Sequence, residues 1–135
     1  MAYIDWTDTL SVKVSSVDDQ HKKWIGLIND FYNGISQNQN KETILKLLIG
    51  MKNYTITHFS HEERLMKQAN YPDYDNHKRI HDEFVKKVND FHERYSSGKL
   101  LLSLEITGTI KAWITDHIMK TDKMYSNYLN NAGIK

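Results

Sequence analysis

Apolar residues recur at three- and four-residue steps through four long stretches of this sequence, and a single proline, Pro72, interrupts them. That period places apolar side chains on one face of an α-helix, whereas a half-buried strand requires strict alternation. Proline and glycine are the strongest local breakers, and one proline and six glycines in 135 residues leave few places to turn. The pattern predicts an all-α fold.

Residues 1–16 read as an irregular or extended arm, with alternation at Leu10, Val12 and Val14. The first helix is expected to start near Ser16–Asp18, where Ser-x-x-Asp resembles a capping arrangement with acid in the first turn. Its face carries Trp24, Ile25, Ile28, Phe31, Tyr32 and Ile35, and Gly34 with the following Ser-Gln-Asn-Gln-Asn run ends it. A second helix begins near Asn40 and carries Ile44, Leu47, Leu48, Met51, Tyr54, Leu65 and Met66; Asn70-Tyr71-Pro72-Asp73 breaks it. Pro72 suits the first turn of a third helix, which shows Ile80, Phe84, Val88 and Phe91 and stops at Ser96-Ser97-Gly98. A fourth starts near Leu102 or Ser103 and uses Ile106, Ile110, Trp113, Ile114, Met124 and Tyr125, with Asn130, Asn131 and Gly133 closing it. Four amphipathic helices on short connections imply an antiparallel up-down-up-down four-helix bundle with an irregular N-terminal arm. A single domain over 1–135 is expected, with the arm at 1–16 and the bundle at 17–130.

The chemistry lies where polar residues interrupt the apolar stripes. His58 and Glu62 are four apart, about 40° around the second helix from each other, and share its inner face. His77 and His81 repeat that spacing in line with Phe84 and Val88. The first helix puts His21 in line with Trp24, Ile25 and Ile28, and the fourth puts His117 in line with Trp113, Ile114 and Ile110. Each helix thus offers an imidazole to one interior. A buried polar group without a partner costs several kcal/mol, about 2–7 for an uncharged one. A lone core histidine usually finds a hydrogen bond, and a lone His-x-x-x-Glu is usually an exposed helical pair. Five imidazoles and a carboxylate converging together call for a metal, and this donor set suits non-haem iron, with manganese or zinc also compatible. His61, at the stripe's edge, and His92, near the charged end of the third helix, read as solvated or supporting residues.

Composition closes other routes. There is no cysteine, which removes thiolate sites, disulfides and cysteine nucleophiles. A formal net charge of +1 gives no field for nucleic acid. No run approaches the roughly 18 apolar residues of a membrane span, and the N-terminal Met-Ala-Tyr-Ile-Asp-Trp carries no basic-then-apolar leader, so a cytoplasmic protein is expected.

Asp18-x-Gln20-His21, His58-x-x-x-Glu62, His77-x-x-x-His81 and His117-x-x-x-x-Asp122 together resemble the hemerythrin motif, in order and over nearly the whole chain. The likeness is to the single-domain bacterial hemerythrins, and extends to Trp6 in the arm and to Trp113. It implies two iron ions of unequal coordination, joined by an oxo or hydroxo bridge. His77, His81 and His117 would hold one, His21 and His58 the other, and Glu62 and Asp122 would bridge them. O2 would bind at the open position of the second ion. Asp122 enters on the resemblance alone, because five residues from His117 is about 140° on an ideal helix. By periodicity Asp116 or Asp19 serves no worse, and a π-bulge is one way to bring Asp122 inward.

The resemblance further implies reversible O2 binding for transport, storage or delivery, in a protein that is not an enzyme. An oxygenase receiving O2 is a compatible partner, and a monomer or weak oligomer is expected. Five neutral imidazoles and two carboxylates disfavour high-valent iron, so the chemistry should stop short of O–O cleavage. O2 or redox sensing, nitric oxide or peroxide handling, and metal storage are the competing functions. Ile25, Trp113 and Ile114 are expected to wall the O2 pocket with Phe84, though each also suits ordinary packing; the family commonly has leucine where Ile114 stands. Tyr32, Tyr54 and Tyr125 are candidates to support the ligands from behind.

Overall fold

The computed structural model describes residues 3–98 and 104–135. Helix α1 spans Ser15–Ser36, α2 Lys41–Gln68, α3 Tyr74–Ser96 and α4 Leu104–Asp116. The last helix does not stop at Asp116. It continues through a π-helical turn, His117–Thr121, and a 3-10 turn, Asp122–Tyr125, into α5, Ser126–Asn131. Residues 37–40 and 69–73 are the only links between α1, α2 and α3, so neighbours run antiparallel, with α2 packed on both α1 and α3. The result is a four-helix bundle, with no strand among the described residues. The expected start of the fourth helix at Leu102 or Ser103, and the side chain of Ile106, lie outside the described residues.

Several helix ends differ from expectation for identifiable reasons. No Ser-x-x-Asp cap forms: α1 begins at Ser15 behind Val14, and the Asp18 carboxylate instead accepts from Ser11 Oγ (2.6 Å) and the Val12 N–H (2.8 Å). Asp18 therefore ties the arm to the bundle. Gly34 does not end α1 but lies buried within it, where a Cβ would come 2.8 Å from Leu47 Cδ1, so it permits close approach of α2. Pro72 precedes α3 by two residues instead of opening it. The α2 start is as expected, with the Asn40 side chain accepting from the Thr43 N–H (2.8 Å).

The arm is not wholly irregular. A 3-10 turn spans Asp8–Leu10, and the Asn29 side chain pairs with both the N–H and the carbonyl of Ile4 at 2.8 and 2.9 Å.

Two apolar clusters fill the bundle. The larger is built on Trp24, Ile28, Phe31, Leu48, Met51, Phe59, Phe84, Ile110, Ile114 and Ile118. The smaller joins Val12, Val14 and Val17 to Met66, Tyr71, Tyr125 and Leu129. Along α1, His21 falls between Val17 of the smaller cluster and Trp24 of the larger; on α3, His77 and His81 fall between Tyr74, packed against the smaller, and Phe84 of the larger. Met124, expected in the core, is 60% exposed, while Tyr125 and Leu129 are fully buried. The π turn inserts extra backbone per turn, which rotates every later residue and turns Met124 outward.

Candidate metal centre

His21, His58, Glu62, His77, His81, His117 and Asp122 are all buried, the least so being His117 at 3% exposure. Their donor atoms fall into two overlapping sets. Glu62, His77, His81, His117 and Asp122 form one, His21, His58, Glu62 and Asp122 the other, and within each set all donors lie within 4.8 Å of one another. The two sets share both carboxylates and no histidine.

The local backbone explains how each group arrives. His58 and Glu62 stand one α-turn apart on α2, as do His77 and His81 on α3. Asp122 arrives by a different route. The Asp122 N–H donates to the His117 carbonyl, a five-residue hydrogen bond that carries Asp122 back over His117. The alternatives are elsewhere: Asp116 is exposed and paired with Lys120 at 3.0 Å, and Asp19 is exposed.

The short histidine–carboxylate distances inside the cluster are not hydrogen bonds. His77 Nε2 is 3.0 Å and His117 Nε2 2.8 Å from Asp122 Oδ1, and His21 Nε2 is 3.1 Å from Asp122 Oδ2. His58 Nε2 is closer still to Glu62 Oε1. Yet His21 Nε2, His58 Nε2, His77 Nε2 and all four carboxylate oxygens lack a hydrogen bond of acceptable geometry. His81 Nε2 and His117 Nε2 face each other at 3.2 Å. Donors about 2.1 Å from one ion and at right angles to each other stand about 3 Å apart, so these separations fit edges of a coordination polyhedron. Buried polar atoms are otherwise almost always paired, and a metal satisfies these. The residues fit a two-metal group.

Electrostatics makes the same demand. Burial and Asp122 push the Glu62 carboxyl up, but His58 and His21 outweigh them and hold it below the ordinary range. Burial opposes the charge on Asp122 too, and His117, His21 and His77 hold it well down. Burial disfavours a charged His21, yet Asp122 and Glu62 raise it to about 9. His77 is raised against burial by Asp122, whereas burial lowers His58. The carboxylates require positive charge at the centre of the cluster.

Neighbouring groups fix the imidazole rings of the donor sets. His58 Nδ1–H donates to Gln20 Oε1 (2.8 Å) and His81 Nδ1–H to Glu63 Oε2 (2.9 Å). Phe59 stacks on His81 at 3.7 Å between centroids, and Trp113 on His117 at 4.5 Å. Trp24 lies 5.1 Å from the His58 ring and donates its Nε1–H to Thr55 Oγ1 (2.9 Å). Ile25 and Ile114 are buried in the same apolar cluster as Trp24 and Phe59, and Trp113 is half-buried beside it. Of the three tyrosines considered, Tyr125 abuts the centre, its ring 5.5 Å from His77. Burial, then Glu62 and Asp122, keep its hydroxyl protonated well above the ordinary range. Tyr32 stacks on Tyr3 and Tyr54 lies under Lys23. His61 pairs with Ser16 and His92 with Lys52, outside both sets.

Glu63, Phe59 and Thr55 were not singled out by periodicity. Glu63 and Phe59 each adjoin a member of the donor sets in sequence, the one signal that could have pointed to them; their partners are on other turns or helices. Gln20 stood in the motif without a role.

The model of the hemerythrin HHE cation binding domain matches residues 12–129. A bacteriohemerythrin of Methylococcus capsulatus is 30% identical over 96% of this chain and 99% of its own length. One from Pseudomonas aeruginosa (strain PAO1 among others) is 30% identical over 93% of this chain and 80% of its own length. Myohemerythrin of Theromyzon tessulatum is 31% identical over 92% of each. A solved wild-type hemerythrin superposes with a TM-score of 0.90 at 29% identity, covering 95% of this chain and 98% of that one. With its donor sets lying inside the matched residues, the chain belongs to the hemerythrin family.

Proposed function

We propose that this protein binds O2 reversibly at a di-iron centre held by His21, His58, Glu62, His77, His81, His117 and Asp122, and that it works in the cytoplasm as an oxygen carrier, store or donor and not as an enzyme. The observation that carries the reading is the unequal pair of donor sets: three histidines in one, two in the other, both carboxylates common. A pair of iron ions held there supplies two electrons beside a coordination position that protein donors leave open in the two-histidine set.

The chain's own residues then have distinct tasks. Glu62 and Asp122 hold both halves together and balance their charge. Gln20 and Glu63 fix which imidazole nitrogen faces inward, since each accepts from Nδ1 and leaves Nε2 as the ligand. Trp24, Phe59, Phe84 and Ile114, all buried, keep bulk water away and so protect bound O2 from loss in reduced form. Glu63 is paired with His81, and the Tyr125 hydroxyl is held protonated. No helix among the described residues is long and apolar enough to cross a membrane.

The test is an absorption spectrum of the anaerobically reduced, iron-loaded protein, recorded before air, after air and again under argon. A charge-transfer band that appears with O2 and disappears on its removal is the expected result. A band that collapses at once to a stable ferric spectrum moves the function to redox chemistry or sensing. Absence of iron on metal analysis overturns the reading.

A further inference from the structure

The two donor sets differ in a second way. His58 and His81 are each held through Nδ1–H by an acceptor 2.8 and 2.9 Å away, but the acceptor for His58 is the neutral Gln20 amide and that for His81 is the Glu63 carboxylate. The buried Nδ1 atoms of His21 and His117 have no partner. An anionic support therefore sits behind His81 in the three-histidine set, and a neutral one behind His58 in the two-histidine set. We propose that Glu63 is a positioning residue that makes the three-histidine half of the centre the more easily oxidised half. The proposal rests on the di-iron reading of the cluster.

A carboxylate accepting from Nδ1–H forms a charge-assisted bond roughly twice as strong as a neutral one and draws the proton toward itself. Electron density on Nε2 rises, the imidazole becomes a stronger donor, and the more positive state of the ion it ligates is favoured. An amide at the same distance orients the ring without that bias. Glu63 lies at the edge of the core and not inside it. Its side chain is 17% exposed and borders a groove between α2 and α3 that Ser60, Lys78 and Asp82 also line. Lys78 stands 3.9 Å from Glu63 but lies closer to Asp82, at 3.1 Å, so Glu63 is not neutralised by a tight ion pair. Phe59, stacked parallel on His81, stops the imidazole from rotating away.

The consequence for O2 binding follows from the electron count. A di-iron group held here would supply one electron from each half to bound O2. On the proposed reading O2 would lie beside the two-histidine set, and an iron ion held by the three-histidine set would give its electron from a distance. Holding that ion at the lower potential favours the transfer and tightens O2 binding.

Glu63→Gln keeps an acceptor of the same reach and removes only the charge. The readout is a potentiometric titration of the iron-loaded protein with electron paramagnetic resonance of the half-oxidised form, alongside iron per chain and circular dichroism. The expected result is two irons, an unchanged fold, and a first oxidation step made harder by about tenfold in its equilibrium constant, about 59 mV for one electron. Gln20→Glu should act in the opposite sense on the other half and narrow the gap between the two steps. Two irons with unmoved potentials in Glu63→Gln overturn the proposal, because a role in ring orientation alone leaves the potential where it was. Should Glu63→Gln not retain both irons, an unchanged gap in Gln20→Glu overturns it equally. Failure of the parent protein to bind O2 reversibly is read separately, by the spectrum, and leaves the ordering of the potentials to be decided on its own.

Discussion

Helix α2 and the last helix deliver the same pair of groups, one imidazole and one shared carboxylate, to the same centre by different backbone routes. On α2 the pair is His58 and Glu62, one regular turn apart. On the last helix it is His117 and Asp122, five residues apart and brought into line by the π turn His117–Thr121. The difference extends one turn upstream. Three residues before His58 is Thr55, a buried hydroxyl that donates to the Met51 carbonyl and accepts from Trp24; three residues before His117 is Ile114, apolar and buried. A regular helix places the functional group by spacing alone, whereas the irregular one places it by a backbone defect that side-chain pattern does not report.

The largest effect should come from removing either carboxylate. Glu62→Ala and Asp122→Ala each take a donor from both sets, so each should lose metal by more than the tenfold to hundredfold typical of residues behind the ligands. Iron per chain, measured after purification in iron-supplemented medium, should fall well below two in both. The comparison sharpens if the carboxylate of Asp122→Ala is restored one residue earlier, as Thr121→Asp, which gives the last helix the four-residue spacing of α2. That double variant should stay metal-poor, because the Asp122 N–H bond to the His117 carbonyl returns residue 122, not 121, to the inner face. Recovery of two irons would mean that the wide turn is dispensable.

That contrast also marks what the sequence made legible. The helix count, the antiparallel bundle and the inward faces of His21, His58, Glu62, His77, His81 and His117 follow from period and apolar neighbours, since burial of a stripe is a local property of a regular helix. The inward position of Asp122 does not follow, because a π turn changes the rotation per residue and leaves no mark in composition; family likeness supplied it. The same turn explains why Met124 was placed in the core and is found in solvent. Asp18 failed as a cap because its better acceptor geometry is with Ser11 and Val12 of the arm, a contact between segments that capping patterns ignore. Glu63 behind His81 escaped for a similar reason, as the bond joins α2 to α3.

A smaller effect is expected from pH, and its sign should separate metal-free from metal-loaded protein. In the metal-free protein His21 is raised to about 9 from an ordinary value near 6.5, and His77 is raised as well. A group with a raised folded value contributes stability that is fully present below its unfolded value and is lost as pH rises through the folded one. Between about pH 6.5 and 9 the chelated protein should therefore lose stability as pH rises, by something of the order of 3 kcal/mol from His21. Loaded protein should show the opposite trend, because protons on the same imidazoles compete with the ions and metal affinity grows as they leave. Thermal unfolding of both forms across that range, with free metal held constant, gives the two slopes. Equal slopes would mean that His21 and His77 are not where the metal sits.

The smallest effect on stability, and the finest test of the contrast between the two helices, belongs to Ile114. Its counterpart on α2, Thr55, is pinned by two hydrogen bonds, but Ile114 is held only by packing and can change shape without leaving a polar atom unpaired. Ile114→Leu conserves volume, so it should cost less than about 1.5 kcal/mol by chemical denaturation. Branching moves from Cβ to Cγ, however, which shifts apolar bulk away from the backbone, one turn from His117. If Ile114 walls the open position, that shift alters how readily water and protons reach bound O2, and conversion of the oxygenated protein to the ferric form should change by several-fold while iron content stays at two. An unchanged conversion rate would assign Ile114 to the core alone. The access barrier would then have to be sought in the stacked aromatic groups, Trp113 on His117 and Phe59 on His81.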